Sequence, residues 1–324
     1  MDIMYTINHS FVEIAAVSIS SLIMNNSDKK LHFHIVTLDF TVDDYKFLDK
    51  LINNDNVEVS YYPLENYNIE EFEIPSWKGN QVANARLFFQ DILETSRLDK
   101  LLYLDADTIV NGDLSSILKY KGTVNAVLET MFKYRLEALN LKRYFNSGVL
   151  LIDIEKWLER DFLKTLIDYR TKNPHIPLNY PDQDLLNLAI GNDINPIPLR
   201  YNLPVYALMD RFNFNEKFYG DKRKINSGID LNEELANALI YHSWGPSIIK
   251  PWVQNKVNPL NKDFDKYMEL INPDFNKEKL NGLKNFLVNN PSLFCFLLNL
   301  KLNVLPEKTV QVIEGYNISR RRKK

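Results

Sequence analysis

A chain of 324 residues with 39 basic and 42 acidic side chains, a formal charge of −3 and 45% hydrophobic residues has ample material for a packed core, which excludes a disordered or fibrous polymer. The balanced charge excludes a surface given over to nucleic acid, so no nucleic-acid partner is expected. Cys295 is the only cysteine, which excludes an internal disulfide and a thiolate zinc cluster and fits a reducing compartment.

The start, MDIMYTINHS, lacks the basic opening of a secretory signal, and a cytoplasmic protein is expected. DIMYT is a short β-prone run, after which Val12, Ala16, Ile19 and Ile23 recur at helical spacing. LHFHIVTLD predicts a second strand. His32 and His34 lie two apart on it, but with no acidic neighbour in sequence a solvated or helix-covered strand face outweighs a metal site. Thr41 and Asp44 form a capping box before YKFLDKLI, and VEVSYYP predicts a third strand. Residues 64–80 read as a long loop, VANARLFFQDILE as a helix and KLLYL as a fully apolar central strand. Strands alternating with helices imply a parallel sheet.

Asp105 and Asp107 follow KLLYL directly, at the carboxyl end of a strand, where open α/β sheets bind ligands. If extended geometry continues through Ala106, both carboxylates face one pocket. Hard oxygens of this kind suit Mg²⁺ or Mn²⁺, and an imidazole as a further ligand favours Mn²⁺. Taken alone, three residues are read equally well as a turn cap and a solvated loop acid.

TVNAVLE and SGVLLID predict further strands, residues 154–169 one helix, and PDQDLLNLAI a helix opening on Pro181. From about 200 to 237 the pattern weakens into aromatic-rich loops. It returns at ALIYHSWGPSIIKPW as a short strand and a Gly/Pro loop, and after 270 only helical patterns follow. No internal repeat is present, and no apolar run reaches the roughly 18 to 20 residues needed to span a bilayer.

Five blocks occur in a telling order: ARL at 85–87, LDAD at 104–107, YFNSGVLLID at 144–153, YPDQDLLN at 180–187 and HSWGPSIIKPW at 242–252. In this the chain resembles, from about residue 1 to 255, the glycosyltransferases of family 8, the retaining GT-A group that includes bacterial lipopolysaccharide galactosyltransferases and glycogenin. The resemblance implies an α/β fold with a Rossmann-like, mostly parallel central sheet flanked by helices. A GT-A domain is expected over 1–270, and the helical patterns beyond it, outside the resemblance, predict a C-terminal helical extension with a basic tail over 271–324.

By the same resemblance, Asp105, Asp107 and His242 bind Mn²⁺, with Mg²⁺ as the alternative, and the metal holds the diphosphate of UDP-galactose or UDP-glucose. Lys250 and Gly245 sit at that diphosphate. Arg86, Ala106, Asn146 and Ser147 surround the donor, and Asp182 and Gln183 act at the reacting sugar, Gln183 on the β face of the anomeric carbon. The implied partner is a glycan, glycolipid or glycoprotein acceptor. Three features depart from the family pattern. TINHS leaves Thr6, Asn8 and Ser10 to hold uridine with neutral hydrogen bonds. Two extra residues separate Gly245 from Lys250. Ser147 stands where alanine is frequent.

Each of these residues also has an ordinary structural reading: Arg86 in a surface ion pair, Asn146 in a turn, Asp182 at a helix start favoured by the dipole. Two rivals stand beside the transferase. A haloacid-dehalogenase-type phosphatase also ends a strand in Asp-x-Asp, but on its first strand and followed by Gly-Thr, whereas here Thr108 follows at once. A non-catalytic glycosyltransferase-like subunit is the other, and the intact Asp105, Asp107, His242 set weighs against it. The tail, LKNFLVNNPSLFCFLLNLKLNVL closed by RRRKK, is read either as an interfacial anchor on the inner membrane face or as a helical hairpin packed on the domain.

Overall fold

The computed structural model describes residues 1–76, 81–129, 136, 139–209, 231–245 and 247–304. A seven-stranded sheet runs in the order β3-β2-β1-β4-β7-β6-β8, formed by β1 (Asp2–Asn8), β2 (Leu31–Leu38), β3 (Val57–Pro63), β4 (Lys100–Leu104), β6 (Val124–Leu128), β7 (Phe145–Asp153) and β8 (Ile194–Ile197). A second sheet of three short strands, β5 (Thr108–Val110), β9 (Leu203–Pro204) and β10 (Ile240–His242), runs in the order β5-β10-β9. Neighbours in the large sheet are parallel except β7, which is antiparallel to both β4 and β6. The reversal brings the first residues of β7, Asn146 to Gly148, to the carboxyl end of β4.

Alternation along the strands builds two cores. Ile3, Tyr5 and Ile7 of β1 face one side with helix α1 (Val12–Asn25), while Met4, Leu101 and Tyr103 face the other with Phe88, Phe89, Trp157 and Leu185. Leu101, Leu102 and Leu104 are fully buried, each contributing about 1.5–3 kcal/mol of hydrophobic stabilisation, which marks β4 as the central strand its composition predicts. Helix α2 (Val42–Ile52) opens with the predicted capping box: Thr41 accepts from the Asp44 amide and Asp44 from the Thr41 amide. Val288, Phe294 and Cys295, beyond residue 270, pack into the first core.

Four expectations change. Residues Val82–Phe88 form a 3₁₀ helix, with α-helix only over Phe89–Ile92. Five consecutive residues, Asn84 to Phe88, are buried, so no solvent face enforces the 3.6-residue period. The single helix expected over 154–169 is two, Ile154–Glu159 and Phe162–Lys172, divided at Asp161, whose φ of 48° is left-handed. Extended geometry stops at Leu104. Finally, β1 and β2 pair in register with Asp2 opposite His32, so an acid does adjoin the two histidines, contrary to the sequence expectation. The RRRKK end lies outside the described residues, as do parts of the 200–237 loop region.

Candidate active site

The chain turns immediately after β4. Asp105 donates its amide to the Gly148 carbonyl at 2.8 Å, and the Thr108 amide and hydroxyl both return to the Asp105 carbonyl, at 3.2 and 2.9 Å. Ser18 of α1 backs the turn, bonding Thr108 Oγ1 at 2.7 Å and Tyr5 at 2.9 Å. The chain then enters β5, which pairs antiparallel with β10 so that Thr108 lies opposite His242. The two carboxylates therefore converge through a turn rather than through continued strand geometry, and the second sheet delivers the imidazole. Oxygens of Asp105 and Asp107 and a ring nitrogen of His242 all lie within 4.8 Å of one another.

His242 is almost fully buried, with Nε2 3.0 Å from Asp107 Oδ1 and 3.5 Å from Asp105 Oδ2. Its orientation is set from behind. Nδ1 donates to Asn202 Oδ1 at 2.8 Å, Asn202 donates to Asn146 Oδ1 at 2.8 Å, and Asn146 donates to Glu129 at 3.0 Å. Because the carboxylate at the end of this line only accepts, every amide in it has one direction, and the proton of a neutral His242 sits on Nδ1. Nε2 is then the free lone pair facing the acids, the arrangement that outer partners impose on a metal-binding histidine. Two carboxylates and one imidazole fit a hard to borderline divalent cation.

Lys250 bonds Asp107 Oδ2 at 2.7 Å and the Ser243 carbonyl at 2.6 Å. The two extra residues before it are taken up in a 3₁₀ turn, Ser247–Ile249, so the lysine reaches the acids despite the longer loop. Gly245 has φ 141°, a conformation open to glycine and strained for other residues. Burial raises the Asp107 carboxyl, but the opposing charges, the Lys250 ammonium foremost, outweigh it and hold the group well below the usual carboxylate range.

Arg86 joins this cluster to a second one. Its guanidinium pairs with Asp105 Oδ1 at 2.9 Å and Asp182 Oδ2 at 3.1 Å, donates to the Ser147 carbonyl at 2.9 Å and lies 4.4 Å over the Tyr103 ring. It is 7% exposed, so the surface ion pair weighed for it is not what forms. Tyr103 also donates to Asp105 at 2.8 Å and bonds Thr6 at 3.0 Å, which ties the end of β1 to the acids. Asn8 is further out, accepting from Ser10 at 3.3 Å, and half-buried Ala106 occupies the turn between the acids.

Asp182 and Gln183 open the helix Pro181–Ile190, with Pro181 in its first turn as predicted. Asn187, one turn on, clamps this helix to β7 by accepting from the Phe145 amide at 2.7 Å and donating to its carbonyl at 2.9 Å. Asp182 accepts from the Ser147 hydroxyl at 2.9 Å. Burial pushes its carboxyl up, against the pull of Arg86. Gln183 accepts from the Ser147 amide at 2.9 Å and donates to Glu129 at 2.8 Å and Tyr144 at 3.2 Å, which fixes both ends of its amide. The residues expected at the metal, the diphosphate and the reacting sugar thus form one connected set, with Asn8 and Gly245 at its margins.

Sequence reasoning missed Glu129, Asn202, Gly148, Tyr103 and Asn187. Only Gly148 and Asn187 sat inside blocks already singled out. Glu129 and Asn202 act through neighbours 17 to 56 residues away, which no local pattern records.

The glycosyl transferase family 8 model matches residues 2–256. A lipopolysaccharide 1,2-glucosyltransferase of Escherichia coli K12 is 24% identical over 269 residues, covering 80% of this chain and 75% of that protein. A lipopolysaccharide 1,3-galactosyltransferase of Salmonella typhimurium LT2 is 25% identical over 276 residues, covering 81% and 76%. The crystal structure of the galactosyltransferase LgtC with donor and acceptor sugar analogs superposes with a TM-score of 0.68 at 20% identity, covering 84% of this chain and 96% of that one, and shares the GT-A fold. Since the matched region runs from β1 through the Asp105 turn to Lys250 and Trp252, and so contains every member of the cluster, the chain belongs to glycosyl transferase family 8.

Proposed function

We propose that this glycosyltransferase moves a hexose, galactose or glucose, from a UDP-sugar to a glycan, glycolipid or glycoprotein acceptor with retention of configuration, and that it requires a divalent cation, Mn²⁺ in preference to Mg²⁺. The observation that carries the reading is the convergence of Asp105, Asp107 and His242 within 4.8 Å at the carboxyl end of the central strand, joined through Arg86 to Asp182 and Gln183. Bound there, the cation supplies Lewis-acid stabilisation of the departing diphosphate. Lys250, already beside Asp107, adds a positive charge on the same side. Arg86 fixes Asp105 and Asp182 relative to one another, so the cation site and the sugar site keep one spacing. Gln183, held by Ser147, Glu129 and Tyr144, presents a fixed amide dipole to the reacting carbon rather than a mobile nucleophile. Asp182, tied to Arg86 and Ser147, serves sugar hydroxyls. The relatives named as lipopolysaccharide glucosyl- and galactosyltransferases support a hexose donor.

Calorimetric titration with UDP, with Mn²⁺ and then with EDTA, tests the reading, followed by donor hydrolysis across UDP-, GDP- and CMP-sugars. The expected result is UDP binding only with metal and hydrolysis confined to UDP-galactose or UDP-glucose. Equal UDP binding with and without metal would remove the cation from the mechanism. Metal-dependent binding without turnover on any donor or acceptor would favour the non-catalytic subunit.

We further propose that residues 271–324 place the enzyme on the inner face of a membrane. Leu283, Phe286 and Phe296 are 72%, 56% and 59% exposed on the helices Gly282–Val288 and Pro291–Val304. Among the described residues no helix is long and apolar enough to cross a membrane.

A further inference from the structure

At the amino ends of β1 and β2, the far end of the sheet from Asp105, a second set of ligand atoms converges. Asp2 Oδ1 lies 3.3 Å from His34 Nε2 and 3.5 Å from His32 Nδ1, and the three ligand atoms all fall within 4.8 Å of one another. Parallel register produces this. Asp2 pairs with His32, His34 follows two residues on, and all three side chains stand on one face. The outer nitrogen of each ring is held by a hydroxyl of β3: His32 Nε2 by Ser60 at 2.9 Å and His34 Nδ1 by Tyr62 at 3.1 Å. A hydroxyl oxygen accepts an N–H, so both rings can be neutral with their inner lone pairs turned toward Asp2.

We infer that Asp2, His32 and His34 form a second divalent-cation site, separate from Asp105, Asp107 and His242, that takes Zn²⁺ or a similar borderline ion with solvent completing the shell. Two imidazoles and one carboxylate are a zinc donor set, and metal–ligand bonds of about 2.0–2.2 Å at tetrahedral angles put neighbouring ligand atoms about 3.4 Å apart. The two distances to Asp2 match that edge. His34 is 4% exposed, whereas His32 and Asp2 are each 29% exposed, so the buried ligand is fixed by packing and the open side admits an ion. Glu58, in register with His32, adds negative charge nearby. Thr6 lies four strand steps beyond Asp2 along β1, about 13 Å, so the site acts on the β1–β2 pairing and not on the reacting sugar.

Zinc counting by calorimetry on the full chain, with variants that separate the two sites, tests the inference. The wild type is expected to bind two equivalents. The Asp105→Asn, Asp107→Asn double variant keeps one, and adding His32→Ala to it leaves none. His32→Ala alone binds one equivalent and retains metal-dependent UDP binding. Asp2→Asn, with no change in packing volume, serves where His32→Ala does not fold and is expected to lower zinc affinity at least tenfold. In the double variant, Zn²⁺ should also shift the imidazole NMR signals of two histidines. No zinc bound by the double variant, or one equivalent that survives His32→Ala or Asp2→Asn undiminished, overturns the inference and leaves the trio as a hydrogen-bonded cluster.

Discussion

Gly148 leaves no room for a side chain. A Cβ there would stand 2.3 Å from His242 Cε1 and 2.6 Å from Asp105 Oδ2, so two proposed metal ligands would have to move at once. His242 cannot yield easily, because it is buried and its Nδ1 is bonded to Asn202. Gly148→Ala is therefore expected to raise the Mn²⁺ concentration needed for half-maximal turnover at least tenfold and to lower kcat about 10²-fold, the scale of a displacement near 1 Å. A manganese titration of donor hydrolysis measures both, and an unchanged metal requirement would show that the ligand cluster tolerates the shift. Glu129 gives the complementary case. It accepts from Gln183 and, through Asn146 and Asn202, sets the tautomer of His242, so Glu129→Ala should lower kcat by about 10- to 100-fold and weaken Mn²⁺ affinity by about the same factor. Unchanged metal affinity would show that the relay keeps its direction without the carboxylate. Asp105, Asp107, His242, Asp182 and Gln183 could be found in sequence because their chemistry lies in the residue type and the block around it. Gly148 and Glu129 have roles that exist only once β4, β7 and β10 meet.

Among the elements, those whose stabilisation is local were the legible ones. The capping box of α2 lies wholly within Thr41 to Asp44, and the structure forms it. Thr41→Ala is expected to cost about 1 kcal/mol, read as a lower midpoint in urea unfolding. The acid limb of stability carries the same feature. Burial opposes the charge on Asp44, but the bonds from the Thr41 backbone and hydroxyl and from His9 outweigh it and hold its carboxyl below the ordinary value. A depressed folded-state pKa contributes stability that is full above the unfolded-state value, about 4, and is lost as pH falls through the folded one. Asp44→Asn should accordingly lower stability at pH 7 and flatten its decline between about pH 5 and 2. An unaltered acid limb would assign that decline to other carboxylates. The 3₁₀ stretch Val82–Phe88 and the break at Asp161 were illegible for a different reason. In the first, burial of consecutive residues erases periodicity, and in the second, polar residues tolerate either a helical or a left-handed backbone.

At the scale of the molecule, strand alternation with helices pointed to a mostly parallel sheet, but not to the one reversed strand on which the site depends. Antiparallel β7 enters beside the acids, and β10 reaches them through a second sheet. Both pairings join segments more than 40 residues apart in sequence, where periodicity carries no information on direction. The C-terminal region poses the same difficulty. Its first part covers the core through Val288, Phe294 and Cys295, as a packed hairpin would, yet Leu283, Phe286 and Phe296 stay exposed on the same two helices, as an anchor would have them. Composition could not divide these readings because both call for the same apolar and basic residues. If the outer side meets a membrane, apolar contact and the RRRKK end should act together, each basic residue near an anionic surface adding about 1 kcal/mol that salt screens. Full-length protein is then expected to co-sediment with phosphatidylglycerol vesicles at low salt and less at high salt. Removing residues 320–324 should abolish that salt dependence, whereas a Leu283→Ser, Phe286→Ser variant should weaken binding at both salt levels and leave donor hydrolysis unchanged. Binding that neither change reduces would mean that the exposed side chains belong to a packed hairpin with no membrane role.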